Sequence, residues 1–393
     1  MASPLPDTHS ALLIVGSGPA GLSAAKAYRA AGGTGPVRLV TVETHPPYDR
    51  PPLSKEFLRG ESTADDLPLE DEAFFTDNGI ELIQGVEMLG LSVADKRIRV
   101  SGERDLPFER CVLALGSRPA VPPVDGVDHD DVLMLRSLDN AVRLRKRALA
   151  ARSAVVIGSG FIGCEAAVSL ARLGLEVTVV TNESRPQVTR LGEQVSDRIV
   201  AWLTEDGVRV VGDARVDRID DGRAVVLGSG EQLPADLVLV AAGAAPRTDA
   251  LVGSGLTMEK GRVPVDEHMA TGLDGIFVAG DIAFAHNKAA GRRLAVEHWG
   301  DAEAMGAVAG TVAAGGDASW DEAPGFFTGI GDRWLQYASW GEGFDEVRFV
   351  EHGDAFTVWY GKDGVTVGVC THDRDDDYDR GKELVEHGAP LPG

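Results

Sequence analysis

The 393-residue chain has only three cysteines, Cys111, Cys164 and Cys370, far apart and without a CxxC pair. A disulfide framework, a thiolate zinc site and a redox cysteine couple are therefore not expected. Basic charge is scarce as well: 38 Lys and Arg stand against 61 Asp and Glu, a formal net charge of −23. Nucleic acid and anionic membrane surfaces need the opposite balance, so neither is an expected partner. Long apolar runs are missing. The run at 11–15 is too short to span a bilayer, and MASPLPDTHS (1–10) has neither a basic n-region nor an apolar core. The expectation is a cytoplasmic protein. The nine histidines form no HExxH, and HDRDDDYDRG (372–381) lacks the glycine and final glutamate of a calcium loop. It reads as a solvated turn leading into a helix, and no metal site is expected.

What the chain does have is glycine, and its placement matters. ALLIVGSGPAGLSAAKAYRAAGG (11–33) reads strand, glycine turn, helix, and VRLVTVE (37–43) is the next strand. The first strand is a continuous apolar run, as expected when a parallel sheet buries both faces. ARSAVVIGSGFIGCEAAVSLARLGLEVTVVT (151–181) repeats the pattern. Two copies predict two nucleotide-binding folds, one nested in the other. Between them, proline-rich 44–58 reads as a loop feeding a helix, short strands are expected at 80–85, 86–91 and 96–100, and CVLALGSRP (111–119) leaves the first domain. After the second copy come LPADLVLVAAG (233–243), IFVAGDIA (276–283) and a helix over about 296–314. From about Ser319 the chain changes character. Alternating runs EVRFVEH (346–352) and AFTVWYGKDGVTVGVCTH (355–372), the latter turning at KDG, predict antiparallel strands and a hairpin.

In the first fingerprint Gly16 allows the tight turn, Gly18 lets the backbone approach a pyrophosphate, and Gly21 lets the helix pack on the strand. The helix N-terminus then offers free N–H groups and a positive dipole end. Glu43 is placed to bond both ribose hydroxyls. Gly158, Gly160 and Gly163 form the second fingerprint, followed by Glu165. Here Thr181 closes the next strand, Glu183 is within reach of a ribose, and Arg185 could meet a 2′-phosphate, so NADH and NADPH both stay open. Asp281 follows Gly280 at the carboxyl end of a strand, where open α/β sheets bind ligands.

With RPPLSK (50–55), LGSRP (115–119), LRSLDNA (135–141), GSGFIGCE (158–165), GIFVAGD (275–281) and VEHWGDA (296–302) in this order, the chain resembles the two-dinucleotide-binding-domain flavoprotein reductases, most of all those of the ferredoxin and putidaredoxin reductase type. Apoptosis-inducing factor is a more distant relative. The resemblance implies an α/β fold with two nested Rossmann-like domains, FAD- and NAD(P)-binding, plus a C-terminal β-rich (α+β) domain. FAD is expected on 1–118 and 247–318, NADH or NADPH on 119–246, and the β-rich domain over 319–393. Ala20 and Glu43 are implied at the adenosine end of FAD, Val86 at the adenine, Arg136 at the pyrophosphate, and Gly280 and Asp281 at the ribityl chain. Arg50 and Lys55 join the FAD-binding set, with Lys55 and Trp299 by the isoalloxazine ring. Gly158, Gly160, Phe161, Ile162, Gly163 and Glu165 are implied to hold the nicotinamide dinucleotide. Lys55, Glu165 and Trp299 form the catalytic set: a cation and a helix start by the flavin stabilise its reduced form. Glu165, read as about two turns into its helix, orients Lys55.

The implied activity is transfer of hydride from NAD(P)H to FAD, then of single electrons to a ferredoxin-like iron–sulfur protein serving a P450 or an oxygenase. A homodimer through the last domain is compatible with the resemblance. One segment departs from the pattern. Where relatives carry a PWFWSDQ-like run, this chain has APGFFTGIGDRW (323–334). An acidic ferredoxin needs a basic docking face, and the candidates are Arg292 with Arg293, and Arg143, Arg145, Lys146, Arg147 and Arg152. Two further readings stay open: a stand-alone flavoenzyme acting on a small molecule or quinone, and an NADH-responsive redox-sensing interaction protein. Cys164, beside the second fingerprint, is expected as a small residue packed on the sheet.

Overall fold

A computed structural model describes residues 10–392; residues 1–9, where the absence of a leader was read, lie outside them. The chain divides into two compact units. One comprises the chain up to Tyr48 with Pro68–Ser117 and Pro246–Phe326; the other comprises Asp49–Leu67, Arg118–Ala245 and the chain from Phe327 on.

In the first unit the strand Ser10–Val15 lies between Val37–Val40 and Arg104–Leu113, all parallel, with Ile80–Ile83 beyond the one and Ile276–Val278 beside the other. Its residues Leu12, Leu13 and Ile14 are fully buried, which explains the unbroken apolar run. The strand Arg104–Leu113 serves two sheets. Up to Pro107 it pairs antiparallel with Arg97–Val100, which in turn pairs with Met88–Ser92; from Phe108 it pairs parallel with the first strand. Pro107 has no N–H for a ladder and sits at the changeover. The segment 111–119, which leaves this part of the chain, therefore starts inside that strand, which ends at Leu113, and finishes in the short strand Ser117–Pro119.

The helices Pro19–Ala30 and Trp299–Ala313 pack at close range in this unit. A Cβ added to Gly306 would lie 2.1 Å from the Ala20 carbonyl oxygen, and one on Gly310 2.1 Å from that of Ala24. Only glycine allows this approach.

In the second unit a five-stranded parallel sheet runs in the order Arg209–Val211, Glu176–Val180, Ser153–Ile157, Leu237–Val240, Val132–Met134. As in the first unit, the strand before the glycines is central and the next one flanks it, so the repeat read from sequence is a repeat of topology. A five-stranded sheet closes the chain, from Gly325–Ile330 to Val365–His372, followed by the helix Asp375–Glu386. Its hairpin turns at Asp363 and Gly364, both with positive φ, between Lys362 and its partner Val365. The fold is thus α/β, with two Rossmann-like sheets and a β-rich C-terminal region. No helix among the described residues is long and apolar enough to cross a membrane.

Candidate functional site

The two glycine turns are alike atom by atom. Gly16 has φ +108° and Gly158 φ +107°. A Cβ on Gly16 would meet the Ala114 carbonyl oxygen at 2.0 Å, and one on Gly158 the Ala241 carbonyl oxygen at 2.4 Å. Gly21 and Gly163 press on the carbonyls of Gly16 and Gly158, where a Cβ would approach to 1.8 and 2.3 Å. These contacts fix both strand–helix crossings and permit no side chain.

The middle glycines differ from these. A Cβ on Gly18 would meet nothing within 4 Å, and one on Gly160 only the Ala241 oxygen at 3.9 Å. Each is the N-cap of its helix, Pro19–Ala30 or Phe161–Arg172, and neither helix has a side-chain cap. The turn is bare on its outer side, with the positive end of a helix behind it. Two dinucleotide pyrophosphates fit these two cradles chemically. Ala20 is buried one residue past Pro19, and Gly280, with φ +72°, would bring a Cβ to 3.2 Å from the Ala20 Cβ. That approach brings Asp281, 6% exposed, to the first cradle's side of the sheet; its carbonyl accepts from Arg262 Nε at 2.9 Å.

The likeness extends past the second strands. Thr41 Oγ1 accepts from the Glu43 N–H at 3.2 Å, and Thr181 Oγ1 accepts from the Glu183 N–H at 3.2 Å. The Glu43 carbonyl accepts from Gly85 N–H, and the Glu183 carbonyl from Asp213 N–H. Val86 N–H donates to the Thr41 carbonyl, and Ala214 N–H to that of Thr181. Glu183 therefore holds in the second fold the place that Glu43 holds in the first. Threonine turns the chain out of the ladder in both, so the strand read as 37–43 ends at Val40. The Glu183 carboxylate also caps the helix Val188–Glu205: it accepts from Gln187 N–H and Thr189 N–H, each at 3.1 Å. Arg185 is engaged by Asp197 and, at 3.5 Å, by Glu193.

Lys55 and Glu165 meet. Both are buried, 4% and 6% exposed, and Lys55 Nζ lies 3.4 Å from Glu165 Oε2. Lys55 also donates to the Pro51 carbonyl. Arg50 precedes the short helical turn Pro51–Ser54 that carries this lysine. Glu165 is the fifth residue of its helix, a little over one turn in rather than two, because the helix begins directly after Gly160. Sequence reasoning missed the other partners of Glu165. Ser54 Oγ donates to Oε2 at 2.5 Å; Thr328 Oγ1 and Gly329 N–H donate to Oε1 at 2.7 and 3.2 Å. The signal available was the FFTGIG segment itself, noted only for what it lacks.

Elsewhere, Trp299 opens its helix with Nε1 donating to Glu303 Oε1 at 3.0 Å. Arg136 follows the strand Val132–Met134 and is half-buried; Phe161 and Ile162 begin the second fingerprint helix, Ile162 exposed. The three cysteines are buried and free. Cys164 packs without exposure, and burial pushes its thiol up to about 12, the wrong direction for a nucleophile.

The chain resembles known proteins along nearly its full length. It is 31% identical over 394 residues to mouse (Mus musculus) apoptosis-inducing factor 3, which covers 97% of this chain but 64% of that protein. The chlorobenzene dioxygenase ferredoxin reductase component of Cupriavidus sp. (strain PS12) is 32% identical, with 98% and 94% covered. Among solved structures, the covalent putidaredoxin reductase–putidaredoxin complex matches with a TM-score of 0.91 at 27% identity, covering 97% of this chain and 94% of that one. Residues 10–306 match the pyridine nucleotide-disulphide oxidoreductase profile. On that match, and on two glycine cradles of one design, the chain belongs to the pyridine nucleotide-disulphide oxidoreductase family.

Proposed function

We propose that the chain is an FAD-carrying reductase that takes hydride from NADH and passes electrons to a ferredoxin-like iron–sulfur protein. The observation that carries this reading is the pair of matched cradles, each with a glutamate in the same hydrogen-bond register. FAD is assigned to 1–118 and 247–318, with Gly16, Gly18, Gly21, Glu43, Val86, Arg136 and Asp281 as its holders. The nicotinamide dinucleotide is assigned to 119–246. When bound, FAD supplies hydride acceptance and release of electrons one at a time. The chain's own residues bind, orient and charge the site: the helix ends hold phosphates, and Lys55 supplies a buried positive charge that Glu165 holds in place.

NADH is favoured over NADPH by Glu183, since a carboxylate bonds a ribose hydroxyl and repels a 2′-phosphate. Arg185, already engaged by Asp197 and Glu193, supports the same choice. The iron–sulfur acceptor is supported by a relative named as the ferredoxin reductase component of a dioxygenase and by the likeness to a putidaredoxin reductase–putidaredoxin complex. Three buried free thiols fit a reducing compartment such as the cytoplasm.

The test is a flavin spectrum of the anaerobically purified protein, followed by parallel reduction with NADH and NADPH. Bleaching at least tenfold more efficient with NADH, and cytochrome c reduction that depends on added ferredoxin, is the expected result. Glu183→Ala should narrow the NADH preference. Bleaching without ferredoxin dependence moves the acceptor to a small molecule. A protein that binds no FAD refutes the reading.

A further inference from the structure

The short hydrogen bonds to Glu165 do not come from the lysine. They come from two hydroxyls, Ser54 at 2.5 Å and Thr328 at 2.7 Å, while Lys55 stands at 3.4 Å. Counting Gly329 N–H, four donors meet one carboxylate, two on each oxygen. That number matches the acceptor capacity of an ionised carboxylate. Every side chain in the cluster is nearly sealed from solvent, with Thr328 1% and Ser54 5% exposed.

The hydroxyls are themselves held. Ser169, one turn along the helix from Glu165 and fully buried, donates from Oγ to the Ser54 carbonyl at 2.7 Å. Thr328 and Gly329 lie in the strand Gly325–Ile330. Gly329 lies close under Trp334, where a Cβ would fall 3.1 Å from the indole ring. The indole thus covers the backbone whose N–H reaches Glu165.

We propose that Thr328 is a positioning residue: its hydroxyl holds Oε1 of Glu165 and so keeps the carboxylate from closing fully on Lys55. This rests on the reading above, in which Lys55 is the cation that serves the flavin. A buried carboxylate that loses a donor must recover it elsewhere, because an unmet buried charge is costly. In this cluster the donor able to move closer is the Lys55 ammonium. Loss of the Thr328 hydroxyl therefore draws the lysine's charge onto Glu165 and away from its task. The segment that departs most from the family pattern would in this way set how much positive charge the site presents.

Thr328→Val removes the hydroxyl at nearly constant volume, and Thr328→Ser keeps it. The flavin midpoint potential is measured by photoreduction against reference dyes, which needs no nucleotide, and the rate of flavin reduction by NADH by stopped flow. Circular dichroism and melting confirm the fold of each variant. The expected result is a lower potential and about tenfold slower reduction in Thr328→Val, near-wild-type behaviour in Thr328→Ser, and no further effect of Thr328→Val on a Lys55→Met background. Should Thr328→Val lose its flavin, Ser54→Ala removes the other short donor and is expected to shift the potential in the same direction. A potential unchanged in Thr328→Val, or an effect of equal size without Lys55, overturns the proposal. A wild-type protein that photoreduces but ignores NADH overturns the nucleotide assignment alone and leaves the potential measurement valid.

Discussion

Replacing Gly310 by alanine puts a methyl group 2.1 Å from the Ala24 carbonyl oxygen and 2.9 Å from its carbon. An ordinary contact needs roughly 1 Å more than that. The obstacle is backbone on both sides, so a rotamer change cannot relieve it; the helices Pro19–Ala30 and Trp299–Ala313 must part. Overpacking of this kind costs about 1–3 kcal/mol, offset by the roughly 0.5–1 kcal/mol that alanine gains over glycine in a helix. The net expectation is a loss of about 1–2 kcal/mol. Gly300 in the same helix is the control, because a Cβ there would meet nothing within 4 Å. Gly300→Ala should be neutral or stabilise by up to about 1 kcal/mol. Urea unfolding of the three proteins, without added flavin, decides the matter. If Gly310→Ala is as stable as the wild type, the close crossing is not what holds these helices, and the cradle at Gly18 owes nothing to it.

Alkaline pH should weaken the fold. Burial raises all three thiols from an ordinary 9.0, Cys164 and Cys370 to about 12 and Cys111 further. A raised value means that stability is complete below about pH 9 and is lost as pH climbs toward 12, by about 1.4 kcal/mol per pH unit for each thiol. A urea midpoint that stays flat from pH 9 to 10.5, or three thiols that titrate in the native protein, contradicts this. At the surface, Arg172 bridges Asp206 and Asp332, and Asp332 is 84% exposed. Its carboxyl is held below the usual range by Arg172, yet Asp332→Asn should cost under about 0.5 kcal/mol because water screens the pair. A cost above about 2 kcal/mol in the same unfolding assay would show that this ion pair matters structurally.

Both fingerprints, the terminal hairpin and the helix start near Trp299 were legible because each is local: a few glycines at fixed spacing, an Asp-Gly turn, an apolar run. Boundaries were less so. The strand over 37–43 stops at Val40 because a threonine hydroxyl captures the N–H two residues on, and nothing in periodicity announces that. No periodicity marks the strand Arg104–Leu113, whose Pro107 proves to be a changeover between two sheets. The equivalence of Glu43 and Glu183 was within reach, since each follows a threonine by two, but Thr181 was weighed as a missing acid rather than as the counterpart of Thr41. The clamp on Glu165 was out of reach. Its donors lie 111 and 163 positions away in the chain, and no pattern in a single sequence ties a serine, a glutamate and a threonine across such distances.

The strand Arg104–Leu113 also makes two sheets into one mechanical element. A hairpin at the rim, Met88–Val100, would ordinarily fray on its own, with its amides exchanging in isolation. Here it is anchored to the N-terminal half of a strand whose C-terminal half lies against the first fingerprint strand. Opening the rim tugs on the floor beneath Gly16. Protection of the rim amides should therefore rise when a ligand fills the cradle. Hydrogen exchange along residues 97–113, with and without FAD, would make that transmission visible.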